Sequence, residues 1–129
     1  EMQLKVDAHI KDGGVLCFFP EGAVNSNPDT ILPFRYGGMK VALANDAIIY
    51  QYITVGCPGV WGKKEAVGGW PGKVIYGLRP LAPNGARELL ASLRAANPDD
   101  ADKADAAVLA EHLQARMQAY YDELKKLRG

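Results

Sequence analysis

The chain is 129 residues long, with 15 basic and 15 acidic side chains and so no formal net charge. That size suits one domain able to bury a core, and the neutral balance excludes an overall electrostatic pull toward nucleic acid or an anionic bilayer. Two cysteines, Cys17 and Cys57, form neither a C-x-x-C pair nor a metal-ligand spacing; this excludes a disulfide framework and points to a reducing, intracellular compartment.

Taken in chain order, Met2, Val6 and Ile10 recur every four residues and Gly13-Gly14 follow, so the first residues read as the tail of a helix with a glycine stop. Glu1 stands before Met2 and no capping side chain opens the helix, so the reading expects a segment of a longer protein. "VLCFF", residues 15–19, is a short continuous apolar run and reads as a strand buried on both faces. Residues 20–36, rich in Pro, Gly, Asn and Asp, form a long loop. "GGMKVALAND" predicts a short helix and "AIIYQYITVG" a second strand. The resulting β-loop-α-β order predicts an α/β fold with a mostly parallel sheet and flanking helices.

From Cys57 to Gly72, glycines and prolines surround Trp61 and Trp70, a surface excursion in which packing of both indoles beneath the loop is the favoured expectation. "KVIYGLRPL" predicts a third strand. Asn84 is placed to cap a helix through "ARELLASLRAA", Asn97-Pro98 ends it, and Asp99 or Asp100 caps a last helix reaching Leu127. Leu113, Met117, Tyr120, Leu124 and Leu127 form its apolar stripe, read as packing against the sheet rather than as a coiled-coil seam. No apolar stretch approaches the roughly 18 residues of a membrane span, and the first residues lack a signal-peptide order.

Chemistry is concentrated in residues 13–38. Glu21 follows the 15–19 run on a Pro-Glu-Gly turn, where Pro20 restricts the backbone before it and Gly22 permits a tight turn after it. Two readings stay open for it: a carboxylate aimed at a ligand, or a turn acid bonded to nearby backbone amides. Arg35 lies on the far side of the same loop and precedes Gly37-Gly38 at a helix start, where an anion is favoured; the alternative is a surface arginine paired with Glu21 or Asp29.

These residues resemble the glycerophospholipid acyltransferases, the lysophosphatidic acid and glycerol-3-phosphate acyltransferase group. "VLCFFPEG" is similar to that family's F-P-E-G motif, and "LPFRYGGMKVALA" to its phenylalanine, basic residue, any residue, glycine element. "AIIYQYITVG" falls where the family has a P-I-x-P-V strand. Residues 1 to about 80 are covered in order, and residues 81–129 are unspecific C-terminal helices of the same single-domain fragment. The resemblance implies acyl transfer from acyl-CoA, as co-substrate and without a further cofactor, to the hydroxyl of a lysophospholipid or glycerol-phosphate-type acceptor. It assigns substrate binding to Glu21, Gly22, Arg35 and Gly37. It also implies a membrane-associated complete protein.

The family's histidine base and orienting aspartate come from N-H-x-x-x-x-D, which is missing: Gly14 stands five residues after His9, and Met117 five after His112. No catalytic residue is therefore assigned in this chain, which is expected to be inactive alone. Ala23, Val24 and Asn25 replace the family's usual Thr-Arg-Ser, removing a cation that would hold an acceptor phosphate. The alternative class is a non-catalytic α/β binding domain or membrane-surface module acting through the Trp61 and Trp70 excursion and the last helix, with no nucleic-acid partner.

Overall fold

A computed structural model describes residues 1–62, 64 and 66–129. The elements run α1 (Met2–Lys11), α2 (Gly37–Ala44), β1 (Ile49–Val55), α3 (Cys57–Val60), β2 (Ile75–Ala82), α4 (Ala86–Ala96), a 3-10 turn (Pro98–Asp100) and α5 (Asp105–Arg128). Among the described residues both strands sit in a single two-stranded antiparallel sheet, with Ile53 opposite Gly77 and Val55 opposite Ile75. The expected mostly parallel α/β sheet is thereby overturned. The physical reason is the connection: parallel neighbours need a crossover, usually through a helix long enough to span the sheet. Between β1 and β2 the only described helix is the four-residue α3.

The strands alternate in burial. Gln51, Ile53 and Val55 face inward while Tyr50, Tyr52 and Thr54 face out, the pattern of a sheet with one wet side. Against the inner side lies α5, whose Tyr120 and Leu124 close a small core with Ile53 and Val55. Gly77 is needed there, because a side chain at that position would collide with the Tyr120 ring. Arg79 in turn stacks 3.8 Å over the Tyr120 centroid and forks onto the Glu123 carboxylate at 2.7 and 3.0 Å. A larger core joins Phe34 and Met39 to Leu81, Leu93, Leu109 and Leu113, and Met117 packs against both cores.

Helix ends differ from expectation in instructive ways. The N-cap of α4 is Gly85 at φ +104°, not Asn84, and the orphan amide of Arg87 is taken by the Asp46 carboxylate from another part of the chain, at 3.0 Å. Arg87 returns the contact by donating to the carbonyls of Leu43 and Ala44 at the end of α2. Asp99 and Asp100 fall in the 3-10 turn and α5 starts later, after Ala104, with no side-chain cap. Arg94 gathers that connection by donating to the carbonyls of Asp100 and Lys103 and pairing with Asp105. On α5 the stripe packs through Leu113, Met117, Tyr120 and Leu124, while Leu127 is exposed.

The 15–19 run is not a strand. Val15 and Phe19 are 86% and 88% exposed, in chain without regular secondary structure that joins neither strand of the sheet. An apolar run becomes a buried strand only where a sheet edge and a covering layer are offered to it, and the chain routes this one past neither. Trp61 and Trp70 are likewise exposed, at 59% and 69%, so packing beneath the loop is overturned too. Among the described residues no helix is long and apolar enough to cross a membrane.

Candidate functional site

Residues 20–35 form a loop closed at its base, where the Arg35 amide donates to the Pro20 carbonyl at 2.8 Å. Inside it, Asn25 and Asn27 accept from the amides of Asn27 and Asp29, two successive Asx turns that fold the polar stretch on itself. The Glu21 carboxylate is turned into this loop. It accepts from the Leu32 amide at 2.8 Å and from the Asn25 side chain at 3.3 Å. Of the two readings of Glu21, the geometry supplies the turn acid: its bonds hold the two limbs of the loop together.

Arg35 approaches Glu21 through the turn rather than through charge. Its side chain lies over Gly22, at φ +63°, where a Cβ would collide with the guanidinium and its stem. Among the described residues no ion pair within 4.0 Å joins Arg35 to Glu21 or Asp29. Two residues on, Gly37 opens α2 with open space where its side chain would be, and no side-chain cap meets the helix amides. Phe18 lies across Gly38, in the volume that a Cβ there would occupy. The structure therefore brings Phe18, the Pro20–Gly22 turn, Arg35 and the start of α2 together, with an exposed guanidinium beside an uncapped helix N-terminus.

A second set of residues escaped the sequence reading altogether. Gln114, Gln118, Tyr121 and Lys125 form one stripe of α5 and hold the 20–35 loop. Gln118 accepts from the Ile31 amide at 2.7 Å and donates to the Asp29 carbonyl at 3.1 Å, and Gln114 donates to the Ile31 carbonyl at 3.1 Å. The Tyr121 hydroxyl donates to the Pro28 carbonyl, and Lys125 pairs with Asp29. The Asp29 carboxylate holds the Lys125 ammonium above its usual range, and burial first, then Asp29, pushes the Tyr121 phenol up. Spacings of four, three and four between these positions were the available signal, since they mark one helix face.

The two histidines do not converge. The His9 ring stands over Gly14 and its Nε2 lies 3.2 Å from the Val15 carbonyl, closing the end of α1. His112 sits partly buried on α5, its imidazole held below the usual value by burial and then by the nearby Arg116 cation. Cys17 and Cys57 are both exposed free thiols. Among the described residues no group of three or more His, Cys, Asp or Glu is placed to hold a metal ion. Comparison with protein-family models, with curated proteins and with solved structures gives no match to this chain.

Proposed function

We propose that the chain is the acceptor-side part of an acyltransferase acting on a glycerophospholipid-type hydroxyl with acyl-CoA as donor. In this reading Arg35 and the first amides of α2 hold the acceptor's phosphate, an anion suited to a guanidinium and a helix N-terminus together. Gly22 lets the arginine lie against the turn, Gly37 leaves the helix start open, and Glu21 acts as a positioning residue that fixes the loop on which Arg35 stands. The proton acceptor for the hydroxyl and its orienting carboxylate are supplied by polypeptide outside residues 1–129, since neither His9 nor His112 is followed by an aspartate at the motif spacing.

The supporting observation is the meeting of two sequence elements twelve and more residues apart. The arginine of the second closes onto the Pro-Glu-Gly turn of the first through the Arg35 amide and the Pro20 carbonyl, 2.8 Å apart. The test is titration of the chain with glycerol 3-phosphate, followed by the amide resonances of Gly37 and Gly38. Saturable shifts in the parent that vanish in Arg35→Gln are expected; shifts that survive the substitution, or none at millimolar ligand, sink the reading. In the complete protein Arg35→Gln is expected to raise KM for the acceptor with little change in that for acyl-CoA.

A further inference from the structure

The end of the molecule beyond the Val55 and Ile75 strand ends carries a different pairing of features. The excursion that follows α3 is closed by the Trp70 amide donating to the Val60 carbonyl at 2.8 Å, and Gly69 fits between Val60 and Trp61 only because it lacks a side chain. Both indoles, with Val67 at 91% exposure, project from that closed loop. The last turn of α5 lies against its base. Arg128 Nε donates to the Lys73 carbonyl at 2.9 Å, Lys73 Nζ donates to the Arg128 carbonyl at 3.3 Å, and the Arg128 guanidinium lies across Gly56 and Gly59.

Charge is distributed to match. Among the described residues, Lys64, Lys73, Lys126 and Arg128 stand in no ion pair within 4.0 Å, whereas Lys125 is taken by Asp29. We propose that this end, the exposed Trp61, Val67 and Trp70 with the cations Lys64 and Lys73 of the same excursion and Lys126 of the last turn of α5, docks on an anionic lipid surface. Indoles settle at the headgroup level, with their rings in the apolar boundary and their N–H groups wet. Lysines around them meet the negative surface, and the two contributions together exceed what either provides alone. The outer face of the sheet, with Tyr52 and Tyr76 exposed, is as apolar but offers no such choice of partner, since nothing in the structure shows what covers it.

Docking rests on different residues from the phosphate site, and the experiment separates the two. Trp61 and Trp70 are the only tryptophans, so intrinsic fluorescence reports on this end alone. The chain is mixed with phosphatidylcholine vesicles with or without phosphatidylserine, brominated acyl chains serving as quencher. A blue shift and quenching confined to the phosphatidylserine vesicles are expected, each weakened as salt rises from about 0.1 to 1 M and the screening length falls from about 10 to 3 Å. Lys64→Gln and Lys126→Gln are each expected to weaken binding about fivefold. Trp61→Ala with Trp70→Ala is expected to abolish co-sedimentation while far-ultraviolet circular dichroism is unchanged, and Arg35→Gln to leave binding intact. Equal binding to both vesicle types, indifference to the lysine substitutions, loss with Arg35→Gln, or an emission change from self-association without vesicles would each overturn the proposal.

Discussion

No residue before Phe34 is buried, whereas both cores are built from residues 34–124. Yet the first stretch contains "VLCFF", an apolar run as dense as "IYQYITV", which became β1. The difference lies in the surroundings. β1 alternates, so its inward side chains meet α5 while its amides pair with β2. The 15–19 run meets a partner mainly where Phe18 leans on Gly38. Apolar composition supplies the free energy of burial only when another element is positioned to exclude water from it.

The largest expected effect draws that contrast directly. Leu109 is fully buried and Phe19 almost fully exposed, so Leu109→Ala should cost about 2–5 kcal/mol and Phe19→Ala less than about 0.5 kcal/mol in urea unfolding. Similar losses at both sites would show that residues 15–19 share the core after all. Asp46→Ala should cost about 1 kcal/mol, because it uncaps α4 and frees the staple to α2. A comparable gain is expected from Gln51→Met: the Gln51 side-chain oxygen is buried without a hydrogen-bond partner among the described residues, and removing it should stabilise by about 1 kcal/mol. A loss there would mean that the amide contributes more than the desolvation of its oxygen costs.

The clamp between α5 and the 20–35 loop offers a smaller, local test. Gln118→Ala should speed hydrogen exchange at the Ile31 amide about tenfold while moving the global midpoint little, since only a sub-global opening is eased. If the midpoint falls as far as in Leu109→Ala, the loop belongs to the same cooperative unit as the core.

The pH dependence should be smallest, and its signs follow from each direction of shift. His112 is held below its ordinary value, so the unfolded chain binds the proton more readily; the stability it contributes is present above about pH 6.5 and is lost as pH falls through the folded value. Glu123, lowered mainly by its bonds to Arg79, follows the same sign at more acid pH. Lys125 runs the other way: its contribution is present below about pH 10.4 and is lost as pH rises through the raised value. Limited proteolysis of the 20–35 loop should therefore accelerate in alkali, and a Lys125→Met variant should lose that acceleration.

Local pattern by itself determined α1, α2, α4 and α5 and the two strands, because a helical period or a β-rich run bounded by Gly, Pro or Asn is written into neighbouring residues. It also marked residues 20–36 as a loop and placed Glu21 and Arg35 at its two ends. Only the tertiary structure decided that the strands pair antiparallel, that the 15–19 run stays outside, and that Glu21 bonds Leu32 while α5 holds the loop. Those outcomes depend on contacts between residues far apart in the chain, such as Asp46 with Arg87 and Ile31 with Gln118. A side chain's period says which way it faces; what it meets there is settled by how the other elements close around it.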